Sequence, residues 1–244
     1  METMQIDLKQ QSALVTGAGR GIGRAVATAL ASAGAGVYLA ARSARELEET
    51  AETIRRSGGT ATAVPADLQQ EGEIESLFAR IRGESGRLDI LVNNAGTGRF
   101  GPLIDFPAAE FDAVMRVNTR AAFLCCQQAM RMMVPRRSGY IINICSVVAF
   151  KGYPNQAAYT ASKHALLGLT KSLAVEAQDD GIRVSAILPG GVDTQMATQA
   201  RPDLDPKILL QPEDIAAAVL YLLSLPDRAA IDQIYIRRRS SKPF

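Results

Sequence analysis

Apolar and polar positions along the chain alternate between short, nearly continuous apolar runs and longer stretches with helical spacing. The short runs predict strands at residues 13–16, 36–41, 60–65, 89–93, 140–145, 183–188 and 233–236. The longer stretches predict helices at residues 21–32, 44–56, 72–82, 108–133, 157–178 and 212–224. Strands that are apolar throughout are typical of sheets covered on both faces. The alternation of strand and helix predicts an α/β fold with a doubly wound parallel sheet.

No linker, repeat or low-complexity stretch divides the 244 residues, so the sequence predicts one domain spanning residues 1–244. Residues 194–211 lack a clear period and contain prolines. In a doubly wound sheet this segment falls beside the ligand crevice, which favours a mobile lid over an ordinary surface loop.

Charge, apolar run length and cysteine spacing limit the kinds of partner that the sequence predicts. A net charge of +2 is too small to indicate nucleic-acid or membrane binding, and the longest apolar run is too short to span a bilayer. Cys125, Cys126 and Cys145 lack metal-ligand spacing, so no metal site is predicted. No signal peptide is visible at the first residues. We expect a soluble cytoplasmic protein with reduced thiols.

A glycine-rich turn joins the first predicted strand to the first predicted helix. It contains Gly17, Gly19, Gly21 and Gly23. Glycines allow a sharp turn and a close approach of the backbone to a pyrophosphate, and the helix N-terminus that follows attracts the anion. The alternative is a tight turn without a ligand, but the strand before and the helix after favour nucleotide binding.

The end of the second predicted strand indicates which nucleotide binds. An acidic residue there would bind the ribose 2′-hydroxyl of NAD, but the chain has Arg42 instead. Arg42, with Arg20 from the glycine turn, could bind a 2′-phosphate. Both could also be solvated surface arginines. The missing acid and the two cations together favour NADP(H).

Tyr159 and Lys163 are four residues apart in a predicted helix, so both side chains lie on one face. An ammonium beside a phenol favours the phenolate and lowers the phenol pKa toward values useful for proton transfer. Many helices carry such a pair without a function, so this pair needs support from the rest of the chain.

That support comes as a set of motifs in a fixed order. They are Thr16-Gly17-x-x-x-Gly21-x-Gly23, Asn93-Asn94-Ala95-Gly96, Asn118, Ser146, Tyr159-x-x-x-Lys163 and Pro189-Gly190. In this order they resemble the short-chain dehydrogenase/reductase family over nearly the whole chain. The resemblance implies a Rossmann fold, a seven-stranded parallel sheet with helices on both faces. It also implies a cofactor-binding part at about residues 12–145 and a catalytic part at about 146–236.

The resemblance implies a role for each of four catalytic residues. Tyr159 would be the general acid or base at the carbonyl oxygen, and Ser146 would donate a hydrogen bond to that oxygen. Lys163 would lower the Tyr159 pKa and hold the nicotinamide ribose. Asn118 would hold a water that links Lys163 to solvent.

Further cofactor contacts are implied by the same resemblance. Asp67 would meet the adenine, although a turn or cap role is the alternative. Val192 would meet the nicotinamide carboxamide, and Thr194 a phosphate. The remaining implied cofactor-binding residues are Ile22, Leu68, Asn94, Ala95, Gly96, Pro189 and Gly190.

The leading hypothesis is an NADPH-dependent carbonyl reductase. A 3-oxoacyl-[acyl-carrier-protein] reductase is the alternative, and it predicts a basic docking patch to which Arg99, Arg136 or Arg137 could contribute. A non-catalytic NADP-binding redox sensor ranks third. A sensor needs no proton route, so the presence of Asn118, Ser146, Tyr159 and Lys163 argues against it. The substrate would be a small carbonyl compound. Residues 108–133 and 157–178 resemble the helices that form family dimers, so a homodimer or homotetramer is expected.

Several other residues are interpreted as structural. His164 points off the catalytic face, and Cys145 is expected to pack in the core rather than act as a nucleophile. The basic residues of the segment 237–244 are interpreted as a solvated tail. Phe100, Phe150 and Tyr153 indicate an aromatic substrate pocket or, equally, core packing.

Overall fold

The computed structural model describes residues 6–200 and 205–242 of the chain. Its sheet has seven strands, which form where the apolar runs predict them. They are β1 Ser12–Thr16, β2 Gly36–Ala41, β3 Thr60–Pro65, β4 Ile90–Asn93, β5 Gly139–Ile144, β6 Ile182–Pro189 and β7 Gln233–Ile236. The predicted strand positions are therefore confirmed to within one residue at each end.

Eight α-helices accompany the strands in the described residues. They are α1 Gly21–Ser32, α2 Ala44–Arg56, α3 Glu71–Ser85, α4 Ala108–Met115, α5 Ala121–Met133, α6 Ala157–Gln178, α7 Gln195–Ala200 and α8 Pro212–Leu223. Among the described residues, none of these helices combines the length and apolarity needed to cross a bilayer.

All strand pairs are parallel, and the strands lie in the order β3-β2-β1-β4-β5-β6-β7. The order reverses between β1 and β4, which leaves a crevice outside the carboxyl ends of the strands. The α/β class and the doubly wound sheet are thus confirmed.

Helices bury both faces of the sheet because neighbouring side chains of a strand point to opposite sides. In β1, Ala13 and Val15 pack toward α1 and α8, whereas Leu14 packs toward α3 and α5. This double covering explains why β1 is buried over its whole length.

Two predictions about the helices need correction. The single helix expected at residues 108–133 is interrupted by a π-helical turn at Arg116–Arg120, which separates α4 from α5. The segment 194–211 is not a structureless loop, because it contains α7 and a short 3₁₀ turn at Pro206–Ile208. Residues 201–204 of that segment lie outside the described residues, and its mobility as a lid stays a prediction.

A cluster of ionic contacts lies at the amino edge of the sheet. The Asp89 carboxylate, 7% exposed, accepts hydrogen bonds from the Ser12 backbone N–H at 2.8 Å, from Arg87 Nη2 at 2.6 Å and from Arg136 Nη2 at 2.7 Å. Burial alone would raise the Asp89 pKa, but these hydrogen bonds outweigh it and hold the pKa below the usual range. The cluster ties the starts of β1, β4 and β5 together.

Candidate active site

The glycine turn after β1 has the conformation that only glycines allow. Gly17 and Gly21 have φ of +66° and +54°. A Cβ on Gly23 would lie 2.2 Å from the Gly17 carbonyl oxygen and 2.5 Å from Asn94 Nδ2. The helix α1 therefore packs directly on the turn, with its N-terminus facing the crevice.

The turn is held in place by residues after β4. Asn94 Nδ2 donates to the carbonyl oxygens of Thr16 at 3.0 Å and Gly17 at 3.2 Å. Thr16 Oγ1 accepts from the backbone N–H groups of Asn94 and Ala95, each at 3.0 Å. Asn94 and Ala95, expected as cofactor contacts, thus also fix the shape of the turn.

The end of β2 carries no carboxylate, as the sequence indicates. Arg42 is exposed and makes no hydrogen bond or ion pair with any described residue. Arg20 Nη1 lies 3.6 Å from Glu46 Oε1, so its charge is partly balanced. Asp67 Oδ1 accepts from the Gln69 backbone N–H at 3.1 Å, which is the turn role foreseen as the alternative, while Asp67 also lines the cleft.

Asn118 lies within the π-helical turn and is almost completely buried. Its Oδ1 accepts from the Thr97 backbone N–H at 2.7 Å, and its Nδ2 donates to the Thr97 carbonyl oxygen and to Ser162 Oγ, both at 2.9 Å. These bonds connect the chain after β4 to α6. Single π turns inside α-helices are frequent at functional sites, so the π turn makes Asn118 a candidate site residue.

Lys163 reaches the crevice from α6 and is 4% exposed. Its Nζ donates to the Ile144 carbonyl oxygen at 2.9 Å and lies 5.9 Å from the centre of the Tyr159 ring. A Cβ on Gly96 would lie 3.8 Å from Nζ and 3.5 Å from Asn118 Oδ1. The lysine is therefore close to Asn118, and burial lowers its pKa.

Tyr159 is partly buried beside Ser146, with the Phe100 ring 5.8 Å away in an edge-to-face arrangement. Burial raises the pKa of Tyr159 to about 12, and a hydrogen bond with Ser146 acts in the opposite direction. The expected lowering of this pKa by Lys163 is not found. The Lys163 ammonium donates to the Ile144 carbonyl, and burial of the phenol dominates.

These groups line one cleft of about 910 Å³ at the carboxyl edge of the sheet. The predicted site residues on its wall are Gly17, Gly19, Arg20, Gly21, Ile22, Arg42, Asp67, Leu68, Asn94, Ala95, Gly96, Ser146, Tyr159, Lys163, Pro189, Gly190, Val192 and Thr194. Gly23 and Asn118 lie behind the wall and support it through the contacts described above.

The family follows from this arrangement and from the sequence. A model of the short chain dehydrogenase family matches residues 11–205. The chain belongs to this family. A 3-oxoacyl-[acyl-carrier-protein] reductase of Synechocystis sp. is 37% identical over 230 residues, which cover 92% of the chain and 93% of the relative. An uncharacterised oxidoreductase of Staphylococcus aureus is 35% identical over 230 residues, which cover 94% of the chain and 98% of the relative.

Solved structures of short-chain dehydrogenases have the same architecture. A metagenomic short-chain oxidoreductase in complex with NADP is 37% identical, with a TM-score of 0.84 over 94% of this chain and 97% of that one. A short-chain dehydrogenase/reductase from Mycobacterium marinum is 33% identical, with a TM-score of 0.91 over 98% of each chain.

Two residues of this short-chain dehydrogenase that sequence reasoning missed hold the glycine turn. Arg24 Nε and Nη2 donate to the Gly19 carbonyl oxygen at 3.0 and 2.5 Å, and Thr50 Oγ1 donates to it at 3.3 Å. A cation in the first turn of a helix is unfavourable because it opposes the helix dipole. This unfavourable position is the feature of the sequence that could have pointed to Arg24.

The side chains set aside as structural agree with the structure of this short-chain dehydrogenase. His164 is exposed, and its Nδ1 lies 3.0 Å from the Thr160 carbonyl oxygen. Burial raises the pKa of Cys145 to about 11, so its thiol is a poor nucleophile. Cys125 and Cys126 are buried and free. Within residues 6–200 and 205–242, no three His, Cys, Asp or Glu side chains are grouped to hold a metal ion.

Two of the three arginines considered for a basic docking patch lie away from the cleft. Arg136 binds Asp89 at the amino edge of the sheet, and Arg137 Nη2 donates to the Asp179 carbonyl oxygen at 2.6 Å on the same side. Arg99 does line the cleft, but its Nε donates to Glu110 at 2.8 Å. Of the three arginines, only Arg99 therefore remains for a patch at the cleft mouth.

Two further interpretations need correction. Phe100 and Tyr153 line the cleft, but Phe150 does not; its ring packs against Tyr235 with 5.1 Å between the centres. The basic C-terminal segment is not simply a solvated tail, because Arg238 also lines the cleft. The signal for Arg238 was its place two residues after the end of β7, since all parallel strands end at the cleft edge.

Proposed function

We propose that this oxidoreductase uses NADPH to reduce a ketone or an aldehyde to an alcohol. The observation that carries the proposal is that Ser146, Tyr159 and Lys163 line the same cleft as the glycine turn. A phenol with an ordinary pKa of about 10 is already protonated at neutral pH, and burial raises the Tyr159 pKa further, to about 12. A protonated phenol can donate to a carbonyl oxygen, as reduction requires.

The cleft fits NADPH at its other end. The turn between β1 and α1 presents backbone N–H groups and a helix N-terminus to a pyrophosphate. Arg42 has no partner in the part of the chain that the structure describes, so its guanidinium is free to bind a 2′-phosphate. A relative of known structure is described in complex with NADP. NADPH, when bound, supplies the hydride.

The roles proposed for the protein side chains follow from their positions. Tyr159 gives its proton to the carbonyl oxygen, and Ser146 donates a second hydrogen bond to the same atom. Lys163, whose pKa is lowered by burial, remains close enough to stabilise the phenolate that forms. Asn118, bonded to Thr97 and Ser162, fixes the π turn next to Lys163, where a water could return the proton.

A panel of ketones and aldehydes tests this proposal, with the oxidation of NADPH followed by absorbance. We expect turnover with NADPH and a lower kcat/KM with NADH. Equal or greater efficiency with NADH would contradict the assignment of Arg42. Tight NADPH binding without turnover of any carbonyl would instead favour the redox-sensor hypothesis.

A 3-oxoacyl-[acyl-carrier-protein] reductase remains the second candidate, because a relative at 37% identity carries that name. Of the three arginines considered for a docking patch, only Arg99 lines the cleft, and it is paired with Glu110. Reduction of an acetoacetyl thioester on the carrier protein, at a rate above that of free ketones, would favour it. Activity on small ketones alone would exclude it.

We also propose a homodimer or homotetramer built through the outer faces of α4, α5 and α6. These faces expose Phe111, Phe123 and Val175, which are 40%, 48% and 74% accessible. Contiguous exposed apolar surface marks protein interfaces, and the helices α4 and α5 that carry the two phenylalanines both pack against α6. Sedimentation should show a dimer or a tetramer, and Phe123→Glu should shift it toward the monomer.

A further inference from the structure

The cationic side chains on the cleft wall differ in whether they have partners. They are Arg20, Arg42, Arg99, Lys163 and Arg238. Glu46 lies close to Arg20, Glu110 accepts from Arg99, and the Ile144 carbonyl accepts from Lys163. Over the ranges 6–200 and 205–242, the guanidinium groups of Arg42 and Arg238 have no hydrogen-bond or ion-pair partner. Arg42 is accounted for by the 2′-phosphate, whereas Arg238 is not.

Arg238 is too far from Arg42 to share its ligand. Arg42 follows β2 and Arg238 follows β7, at nearly opposite sides of the sheet. Neighbouring strands lie about 4.8 Å apart, which separates these two strand ends by roughly 24 Å. The strands β5, which leads to Ser146, and β7 are two spacings apart, or roughly 10 Å. Arg238 thus belongs to the catalytic end of the cleft.

A small residue makes room for the Arg238 side chain. A Cβ on Gly191 would lie 3.5 Å from Arg238 Cδ, 3.6 Å from its Nε and 3.1 Å from Leu209 Cδ2. Gly191 directly follows Pro189 and Gly190, which also line the cleft. The arginine stem therefore packs across the backbone at this point, and a larger side chain at position 191 would crowd it.

The backbone that carries Arg238 is ordered by its own hydrogen bonds. The Gly190 backbone N–H donates to the Ile236 carbonyl at 2.7 Å, which continues the pairing of β6 with β7. The Ser241 Oγ and backbone N–H both donate to the Arg238 carbonyl, at 2.8 and 3.0 Å. Arg237 Nη1 donates to the Ser241 carbonyl at 2.7 Å. Arg238 is thus presented by a hydrogen-bonded turn.

We propose that Arg238 binds an anionic group of the substrate, a carboxylate or a phosphate located a few bonds from the carbonyl. The proposal rests on the proposed reductase function and names its substrate class. Arginine binds both anions through paired N–H groups, and no acidic side chain of the described cleft wall neutralises it. The acids of that wall are Glu46, Asp67 and Asp193, and none forms an ion pair with Arg238.

Matched pairs of anionic and neutral carbonyl compounds test this inference. The pairs are acetoacetate with methyl acetoacetate, succinic semialdehyde with its methyl ester, and dihydroxyacetone phosphate with dihydroxyacetone. Wild-type protein should prefer the anion in at least one pair, and the pairs separate carboxylate from phosphate recognition. Arg238→Ala should raise KM for that anion by about tenfold to a hundredfold, as expected for hydrogen bonds to a charged group.

The controls separate recognition from folding and from the reductase chemistry. Arg238→Ala should leave kcat/KM for the neutral partner nearly unchanged, and Arg238→Lys should recover part of the anion preference. Arg239→Ala removes an exposed neighbouring charge and should change neither the anion preference nor the kcat/KM for the neutral partner. If wild-type protein reduces carbonyls but Arg238→Ala leaves every anion-to-neutral ratio unchanged, the inference is overturned and the reductase proposal stands. If no carbonyl is reduced, both are overturned.

Discussion

The two edges of the sheet use arginine in opposite ways. At the amino edge, Arg87 and Arg136 both bind the buried Asp89 carboxylate, whose acceptor sites they share with a backbone N–H. At the carboxyl edge, Arg42 and Arg238 face a cleft and have no partner among the described residues. Charges that are already paired contribute to folding, whereas unpaired charges in a cleft are available to a ligand.

The difference in solvent access makes both arrangements stable. A buried carboxylate without partners would be strongly unfavourable, so Asp89 requires its three donor residues, Ser12, Arg87 and Arg136. Arg42 is exposed and Arg238 is half-buried, so water can solvate both guanidinium groups until an anion replaces it. The comparison predicts that substitutions at one edge change stability and that substitutions at the other change binding or catalysis.

The largest effect is expected for Tyr159→Phe. Removing the proton donor should lower kcat by about a thousandfold, within the usual range for general acid catalysis. The melting temperature and the NADPH affinity should change little, because the ring contact with Phe100 is kept. Steady-state kinetics and a thermal melt check this. A kcat within a few fold of wild type would mean that another group donates the proton.

The next largest effect is expected at the amino edge. Asp89→Ala leaves Arg87 and Arg136 without their shared partner and should lower the free energy of unfolding by about 3 kcal/mol, or roughly a hundredfold in the folding equilibrium. Denaturant titration measures this loss in the free energy of unfolding. The kcat of the folded fraction should match wild type. A loss of kcat without a loss of stability would break the contrast between the edges.

Arg42→Ala should produce a smaller effect, and only on the cofactor. The dissociation constant for NADPH should rise about tenfold, the amount expected for loss of a charge-assisted contact, while that for NADH stays constant. Isothermal titration calorimetry with both cofactors measures the two values. Arg45→Ala is a matched control, since Arg45 pairs with Glu49 on the α2 surface. An equal rise for both cofactors would show that Arg42 does not read the 2′-phosphate.

The smallest effect is a pH dependence at the amino edge. The Asp89 pKa is lower in the folded protein than its unfolded value of about 3.9. Its contribution to stability is therefore complete above that value and is lost as pH falls through the lower folded pKa. Unfolding free energies measured between about pH 6 and 3 should fall more steeply for wild type than for Asp89→Ala. Parallel curves for the two proteins would show that Asp89 does not cause the loss of stability at low pH.

The fold and much of the site could be predicted because they depend on local patterns. Periodicity places the strands, and the glycine turn and the Tyr159–Lys163 spacing need only neighbouring residues. The π turn at Arg116–Arg120 escaped prediction because it occurs where Asn118 bonds to Thr97 and Ser162, which are distant in sequence. The burial that raises the Tyr159 pKa is likewise a property of the folded chain.

Charged residues were the hardest to interpret from the sequence. Arg136 and Arg238 look alike as parts of basic runs, yet one binds Asp89 and the other lines the cleft. Which edge of the sheet a charge reaches depends on whether it comes before or after a strand. Arg136 lies shortly before β5 and Arg238 shortly after β7, so strand direction separates them once the topology is known.

Carbonyl reduction in this cleft is tested most directly by following the hydride itself. The protein is incubated with a carbonyl substrate from the panel and NADPH deuterated at the transferable carbon, using each of the two deuterated epimers in turn. One epimer should give an alcohol with a single deuterium on the former carbonyl carbon, detected by mass spectrometry, and Tyr159→Phe should suppress it. Tight NADPH binding with no deuterated alcohol from either epimer would contradict the assignment of this cleft to carbonyl reduction.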